Sequence, residues 1–193
     1  MSLYLKYRPQ TFDQIVNQNH IVDILQAKIM QGGLNNNNYL FYGPRGTGKT
    51  SAARIFAKAL NCLKLKDGNP CNECDNCNAI NQNKSIDFVE IDAASHTGVD
   101  NIREEVIDKA PYPPAHLQKK VYIIDEVHML SKGAFNALLK IMEEPPAYLV
   151  FILATTEIHK VPETIISRCQ VYNFKKIPAP ELAQHLEYIC KNE

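Results

Sequence analysis

Short apolar runs alternate with longer amphipathic stretches along this chain. The runs at 38–42, 120–124 and 149–154 are apolar or aromatic almost throughout, which is typical of strands buried on both faces of a parallel sheet. Residues 86–92 alternate apolar and acidic positions, which predicts another strand, and residues 171–174 predict a short last one. We therefore expect an α/β fold in which helices cover both faces of a five-stranded, mostly parallel sheet, a three-layer αβα arrangement.

The stretches between these strands repeat apolar residues every three or four positions, which predicts helices. Asp100 precedes one of these stretches and Ser131 another, so both are expected to cap a helix N-terminus. Pro180 is expected to start the last helix. The positions expected to face the core are Ile21, Ile24, Leu25, Ile29, Ile102, Val106, Phe135, Leu138, Leu139, Met142, Leu182, Leu186 and Ile189.

A glycine-rich turn joins the predicted strand at 38–42 to an alanine-rich helical run at 51–60 and fits the P-loop pattern G-x-x-x-x-G-K-[ST]. Its glycines allow backbone N–H groups to curl around an anion, and a helix N-terminus favours negative charge. Lys49 is expected to reach the β- and γ-phosphates of ATP, and Thr50 to bind Mg²⁺. The alternative is a turn that binds no ligand. The predicted nucleotide-binding residues of this turn are Gly43, Pro44, Arg45, Gly46, Thr47, Gly48, Lys49, Thr50 and Ser51.

Two acidic residues, Asp125 and Glu126, follow the apolar strand at 120–124. Asp125 is expected to hold Mg²⁺, directly or through water, because a hard cation prefers oxygen ligands. Glu126 is expected to be a catalytic residue that polarises an attacking water. The alternative is a strand that ends in solvated acids. The P-loop earlier in the chain favours the catalytic interpretation.

Closely spaced cysteines among polar residues mark 62–84 as an insertion in the α/β fold. Four thiolates complete a tetrahedral Zn²⁺ site without an open position, so zinc held here would be structural. Two alternatives stay open: reduced thiols in a loop, and an iron–sulfur cluster, where C-x₂-C-x₂-C spacing also occurs. Cys169 and Cys190 are isolated and are expected to be ordinary core residues. The predicted zinc ligands are Cys62, Cys71, Cys74 and Cys77.

Other polar positions give weaker signals. Thr155 and Thr156 end the predicted strand at 149–154, and ligands of open α/β sheets bind at the carboxyl ends of strands. A hydroxyl there is placed to orient water or contact a γ-phosphate. Arg168 lies in a Ser-Arg-Cys triplet that ends a short helix, and the residues alone indicate only a surface position. We assign no chemistry to His96, His128 and His159.

Composition limits the classes of function. The 193 residues suit one domain, and 45% of them are hydrophobic, which is ordinary for a packed core. Lys+Arg and Asp+Glu both number 21, so net charge gives no argument for binding to nucleic acid or a membrane. The N-terminus lacks the apolar region of a signal peptide, and the most apolar run, at 148–154, is too short to span a bilayer. We expect a cytoplasmic protein without a membrane partner.

In this order, the P-loop, the cysteine insert, the acidic pair, the two threonines and the Arg168 triplet resemble one family over essentially the whole chain. It is the family of clamp-loader ATPases of bacterial DNA polymerase III, within the AAA+ class. Further matching stretches lie at 6–12, 91–95, 135–140 and 143–146. The cysteine insert is typical of this family and unusual among AAA+ proteins. The resemblance implies ATP-driven loading of a sliding clamp onto primed DNA, with delta and delta′ as fellow clamp-loader subunits in an oligomeric ring.

The resemblance also implies roles for single residues. Thr156, with its neighbour Thr155, would be the residue called sensor 1. Arg168 would be a catalytic arginine finger that acts on ATP held by a neighbouring subunit. Residues that would border the adenine and ribose are Tyr7, Arg8 and Val16.

Domain boundaries follow from the same resemblance. Residues 1–177 would form the nucleotide-binding domain, with 62–84 as its zinc-binding insert, and residues 178–193 would begin a helical lid. The family's lid carries a sensor-2 arginine and its collar builds the ring, so we expect a fragment without these parts, compatible with a monomer. Asn17 departs from the glycine that is frequent in the family, which leaves the role of that loop open.

Two other functions stay open. Another AAA+ motor, such as a branch-migration helicase, would share the P-loop, but the cysteine insert argues against it. A zinc-bearing nucleic-acid-binding module with a vestigial P-loop is disfavoured by the intact Lys49, Thr50, Asp125 and Glu126. Nucleotide binding would separate this second rival from an ATPase.

Overall fold

The computed structural model describes residues 3–32, 37–95 and 102–193, which are organised around one five-stranded sheet. The order across the sheet is β2-β3-β4-β1-β5, and every neighbouring pair is parallel. This confirms the predicted α/β fold and the number of strands. The strands are β1 Asn38–Tyr42, β2 Phe88–Asp92, β3 Lys120–Asp125, β4 Leu149–Thr155 and β5 Gln170–Asn173.

Helices and helical turns connect these strands. None of the helices among the described residues is long and apolar enough to cross a membrane. A π-helix spans Arg103–Ile107, and 3₁₀ turns span Phe12–Gln14, Val127–Met129 and Ile158–Lys160. The α-helices are α1 Leu3–Lys6, α2 Asn19–Met30, α3 Lys49–Asn61, α4 Asp75–Asn81, α5 Lys132–Glu143, α6 Glu163–Ile166 and α7 Ala179–Asn192.

The two faces of the sheet pack against different helices, which confirms the three-layer arrangement. Tyr39 and Phe41 of β1 join a core cluster with α2 and α3, whereas Leu40 between them joins a cluster with α5. This alternation follows from the two-residue period of a strand. Ile102 and Val106 are fully buried in the second cluster, as predicted, although the helix there is a π-helix.

Two expectations for helices α2 and α5 had different outcomes. The Ser131 side chain accepts a hydrogen bond from the backbone N–H of Ala134 at 3.2 Å, so its predicted role as an N-cap is confirmed. The expectation that Ile24 faces the core is wrong, because it is 48% exposed and Val22 is buried instead. The proposed cap Asp100 lies outside the described residues.

The inward face predicted for the last helix is also wrong. Leu182 is 46% exposed and Leu186 is 52% exposed, and α7 has no buried residue. Cys190 on the same helix is exposed rather than part of the core. The reason is that α7 follows the sheet, and no other element of the described residues covers its apolar stripe. Cys169, by contrast, packs partly buried against the second core cluster.

Candidate functional site

The P-loop connects the carboxyl end of β1 to the N-terminus of α3. Gly43, Gly46 and Gly48 all have positive φ angles, of 147°, 78° and 95°. A Cβ atom on Gly43 would lie 2.2 Å from the carbonyl oxygen of Phe174, so no other residue fits there without moving the backbone. The N–H of Gly43 also donates to the carbonyl of Thr155 at 3.2 Å, which joins the turn to β4.

Lys49 begins α3 and turns its ammonium back over the loop. Nζ donates to the carbonyl oxygens of Gly43 and Pro44, both at 2.9 Å, and the residue is 6% exposed. Burial lowers the pKa of Lys49, while the negative charges of Glu126 and Asp125 raise it. The P-loop cation therefore lies in the electrostatic field of both predicted acidic site residues.

Thr50 and Asp125, 75 residues apart in sequence, are in direct contact. The Thr50 hydroxyl donates to Asp125 Oδ2 at 2.6 Å, and Asp125 Oδ1 accepts from the backbone N–H of Glu126 at 2.9 Å. This pair supplies a hydroxyl and a carboxylate oxygen at the carboxyl edge of the sheet, the donor types that a hard cation such as Mg²⁺ prefers. The chemistry of these donors fits the magnesium role expected of the two residues.

Glu126 has a backbone conformation that is unusual for a glutamate, with φ 47° and ψ 43°. A non-glycine residue in this left-handed region is strained, and such strain is frequent at functional sites. Glu126 Oε2 accepts from the Thr156 hydroxyl at 3.1 Å and lies 3.4 Å from the Thr156 amide nitrogen. The structure thus brings Glu126, the residue predicted to polarise the attacking water, next to Thr156, the predicted sensor residue.

His128 is a site residue that the sequence analysis missed. Its side chain is 6% exposed, with Nδ1 2.9 Å from Thr155 Oγ1 and 3.4 Å from Glu126 Oε2. Its Nε2 lies 3.2 Å from Glu157 Oε2. The imidazole therefore lies between the carboxylate of Glu126, the predicted catalytic residue, and that of Glu157. The only signal for it in the sequence was its place close after the acidic pair, in the stretch that forms the 3₁₀ turn.

The P-loop lines a cavity of about 480 Å³ together with the N-terminal arm, which we define as residues 7–16, and the start of α7. Two of the three residues expected around adenine and ribose, Arg8 and Val16, line this cavity. Asp92, Ile177 and His185 line it too and were not among the predicted site residues. The residues around the cavity are Arg8, Pro9, Gln14, Ile15, Val16, Arg45, Gly46, Thr47, Gly48, Lys49, Thr50, Ser51, Asp92, Asp125, Glu126, Ile177, Leu182 and His185.

Tyr7 lies beside this cavity rather than on its wall. It lines an adjoining cavity that it shares with Arg8, Val16, His185 and Tyr188. The Tyr7 ring meets that of Tyr188 edge to face, with centroids 6.4 Å apart. The role of Tyr7 near a nucleotide stays a prediction.

Arg168 lies at the opposite edge of the sheet from the P-loop. Its carbonyl accepts from Asn38 Nδ2 at 3.4 Å, and Asn38 is the first residue of β1, whereas Gly43 follows the last. The guanidinium donates to the carbonyl of Thr164 at 2.8 Å and to Glu143 Oε1 at 2.7 Å. Gly43 follows Asn38 by five positions, roughly 16 Å along a strand, so Arg168 is far from the P-loop of its own chain.

The four predicted zinc ligands form one cluster. The Sγ atoms of Cys62, Cys71, Cys74 and Cys77 all lie within 4.8 Å of one another. Backbone N–H groups point at the sulfurs: those of Lys64 and Cys71 donate to Cys62 Sγ, at 3.4 and 3.3 Å, and that of Cys74 to Cys71 Sγ at 3.3 Å. Such donors stabilise thiolates, the form in which cysteine binds a metal.

The surroundings lower the pKa of one thiol in this cluster and raise the pKa of two others. Burial raises the pKa of Cys71, but N–H donors from Glu73 and Cys74 and neighbouring thiols outweigh it and lower the pKa to about 6. Burial raises the pKa of Cys62 and of Cys77. Several thiolates this close together repel one another, so the cysteines ionise together only when a cation binds between them. The donor set therefore fits a structural tetrahedral metal site with no fifth ligand position.

Solved structures share the fold of this chain. A variant of RuvB from Thermotoga maritima matches 94% of this chain and 54% of its own with a TM-score of 0.63, at 18% identity. A DNA polymerase III gamma subunit-related protein from the same organism matches 82% of this chain and 46% of its own with a TM-score of 0.53, at 22% identity. Fold and site together define an α/β protein with a P-loop at the carboxyl edge of a parallel five-stranded sheet.

Sequence relatives narrow this class. A family model described as DNA polymerase III, delta subunit, matches residues 17–178. DNA polymerase III subunit tau of Bacillus subtilis is 53% identical over 100% of this chain and 34% of its own length. Subunit tau/gamma of Haemophilus influenzae is 50% identical over 97% of this chain and 27% of its own. The chain belongs to this DNA polymerase III family, and its curated relatives are tau and gamma/tau subunits.

Proposed function

We propose that this chain is the nucleotide-binding part of a clamp-loader subunit, in which ATP binding and hydrolysis drive the loading of a sliding clamp onto primed DNA. One observation carries the proposal: the Thr50–Asp125 contact of 2.6 Å lies beside a P-loop in a chain 53% identical to a DNA polymerase III subunit. The chain spans between 27% and 34% of the length of these relatives, so loading itself is proposed for the whole protein.

The proposed chemistry is in-line attack of water on the γ-phosphate of ATP. A bond forms between the water oxygen and the γ-phosphorus, and the bond to the β–γ bridging oxygen breaks, which gives ADP and phosphate. Glu126 would orient the water, and Thr156 would hold the Glu126 carboxylate through their contact at 3.1 Å. Lys49 would exchange its bonds to P-loop carbonyls for phosphate oxygens.

The donor atoms next to this cavity suit a magnesium ion. Thr50 and Asp125 would hold it, because their oxygens already meet at the phosphate end of the P-loop. A bound Mg²⁺ supplies neutralisation of the charge on phosphate oxygens. Thr50 and Asp125 would set the position of the ion.

Arg168 is proposed as an arginine finger for the ATP of a neighbouring subunit. Its position at the amino edge of the sheet supports this role, because its own P-loop lies at the other edge, roughly 16 Å away. Glu143 and the Thr164 carbonyl hold the guanidinium at the protein surface.

Zinc is proposed as the structural metal of the cysteine insert, residues 62–84. Four sulfurs within 4.8 Å of one another satisfy a tetrahedral ion completely, which supports a structural rather than a catalytic role. We further propose residues 1–177 as the nucleotide-binding domain and 178–193 as the start of a lid. The proposed partners are the delta and delta′ subunits, the sliding clamp and primed DNA, and the proposed location is the cytoplasm.

One experiment separates this function from its rivals. The full-length protein is assembled with its partner subunits, and ATP turnover is measured with primed DNA plus clamp and with Holliday junctions. Stimulation by primed DNA and clamp, lost in Lys49→Ala, is the expected result. Stimulation by Holliday junctions alone would favour a branch-migration motor. Nucleic-acid binding without any ATP binding would favour a vestigial P-loop.

A further inference from the structure

The cysteine insert is joined to the N-terminal arm by asparagine side chains. Asn69 accepts from the backbone N–H of Phe12 at 2.8 Å and donates to Asp13 Oδ2, also at 2.8 Å. Asn72 donates to the carbonyl of Gln10 at 3.1 Å. The partners are 56 to 62 residues apart in sequence, so these bonds depend on the folded arrangement of insert and arm.

Lys58 of α3 completes the same junction. The residue is 2% exposed, and its Nζ donates to the Gln10 carbonyl at 3.2 Å, to Gln10 Oε1 at 2.7 Å and to Asn72 Oδ1 at 2.6 Å. A buried ammonium is costly unless its donors are satisfied, and three oxygens satisfy it here. One of them belongs to the insert and two to the arm. The P-loop helix, the arm and the insert thus meet at one buried charge.

The arm that these bonds hold is also a wall of the nucleotide cavity. Arg8, Gln14 and Val16 line the cavity from the arm, and Gln14 accepts from the backbone N–H of Gln10 at 2.7 Å. The Ile15 side chain lies 3.7 Å from where a Cβ on Gly48 would stand, so it lies next to the P-loop. An arm that moved away from the insert would move this wall away from the phosphates.

We propose that Asn69 and Asn72 are positioning residues, through which the cysteine insert fixes the N-terminal arm and thereby sets nucleotide affinity. In this proposal the insert supports the wall of the cavity and is not an independent appendage. The nucleotide part of this inference rests on the proposed function, whereas the bracing of the arm does not. Neither asparagine lines the cavity or supplies a sulfur to the cysteine cluster.

The test compares the double variant Asn69→Ala/Asn72→Gly with Asn78→Ala in the full-length, metal-bound protein. Glycine is chosen at 72 because the native φ there is 59°. Asn78 is a matched control, since its side chain donates to the Glu73 carbonyl at 3.0 Å inside the insert and does not reach the arm. Amide exchange of residues 8–16 is measured without nucleotide, metal content is measured in the same samples, and ATP affinity is obtained by titration.

The double variant should exchange faster across the arm, most clearly at the Phe12 amide, and its Kd for ATP should rise about tenfold. Asn78→Ala should match the wild type in both measurements. Unchanged arm exchange in the double variant, or faster exchange with an unchanged Kd, would overturn the inference. Loss of metal from the double variant alone would overturn it too, because the asparagines would then act inside the insert. A wild type that binds no ATP would refute the proposed function, while the exchange data would still decide whether the arm is braced.

Discussion

The Nδ1 atom of His128 lies 2.9 Å from the Thr155 hydroxyl oxygen and 3.4 Å from Glu126 Oε2. The contact ties the 3₁₀ turn after β3 to the end of β4. The Thr155 hydroxyl also accepts from the backbone N–H of Glu157 at 3.0 Å, so one side chain joins two segments at the carboxyl edge of the sheet. His128 therefore contacts Glu126, the predicted catalytic residue, and connects it to the end of β4.

The first prediction concerns this histidine. His128→Ala should lower ATP turnover about tenfold, the effect of losing roughly 1.4 kcal/mol of transition-state orientation, and should leave the Kd for ATP nearly unchanged. His128→Asn, which keeps a polar group near the Nδ1 position, should recover part of the loss. Single-turnover rates and nucleotide titrations of the full-length protein provide the measurement. Equal weakening of ATP binding by both variants would argue for a role in folding instead.

Variants of Lys49 and Glu126 should separate ATP binding from ATP hydrolysis. Lys49→Ala should abolish ATP binding, because the proposed role of the ammonium is to contact phosphate in the ground state. Glu126→Gln should spare binding and remove turnover, because the proposed role of the carboxylate is to orient the attacking water. Equilibrium titration with ATP and product assays would check both. If the two variants lost ATP affinity equally, this division of roles would be wrong.

The cysteine cluster should contain one zinc ion per chain. Elemental analysis of protein purified without added metal checks the identity, and iron with a visible absorption band would instead indicate an iron–sulfur cluster. Removal of zinc by a chelator should loosen residues 62–77 and leave the sheet folded, because the P-loop lies outside the insert. Amide exchange before and after chelation measures this. Collapse of the whole sheet would contradict the prediction.

Arg168→Ala should reduce DNA-stimulated turnover of the assembled protein by about 10³–10⁵, the range for arginine fingers, with nearly unchanged ATP affinity. Residues 1–193 expressed alone should be almost inactive as an ATPase if they stay monomeric, because a monomer receives no guanidinium from a neighbour. Steady-state assays of ATP turnover compare residues 1–193 alone with the assembled protein.

A mixing experiment decides whether Arg168 acts in trans. Subunits with Arg168→Ala and an intact P-loop are assembled with subunits that keep Arg168 but carry Lys49→Ala. Some turnover should return in the mixed rings, since one subunit type supplies the ATP and the other the finger. No recovery on mixing would mean that the arginine serves its own subunit or no ATP at all.

Ionisation of Asp87 should make the free energy of unfolding depend on pH. Burial raises the pKa of this carboxyl, but N–H donors from His116, Leu117 and Ala115, at 2.8 to 3.0 Å, lower it below its usual 3.8. Its contribution is therefore complete above about pH 4 and is lost as pH falls through the lower folded-state pKa.

Asp87→Asn should lower the free energy of unfolding by about 2–4 kcal/mol at pH 7, because one amide oxygen replaces two charged acceptors. This difference from the wild type should shrink as pH falls below about 4 and through the lower folded-state pKa, where the wild-type carboxyl becomes protonated. Urea unfolding at both pH values measures it, and the exposed Asp23→Asn on α2 is the control. A pH-independent difference would remove the carboxylate from the explanation.

Local features of this protein could be predicted from the sequence. The P-loop is local, because the glycine spacing and the helix that follows lie within one continuous stretch, and three of the four clustered cysteines lie within seven residues. Strand periodicity likewise gave the number of strands, since each strand shows its burial in its own residues. These features needed no knowledge of which segments meet.

Contacts between distant segments were decided only by the tertiary structure. Thr50 meets Asp125 because parallel strands β1 and β3 end at the same edge with β4 between them, an order that the periodicity of single strands does not contain. The same applies to His128 beside Thr155. The exposure of Leu186 could not be predicted either, because an amphipathic helix has the same pattern whether or not another element covers it.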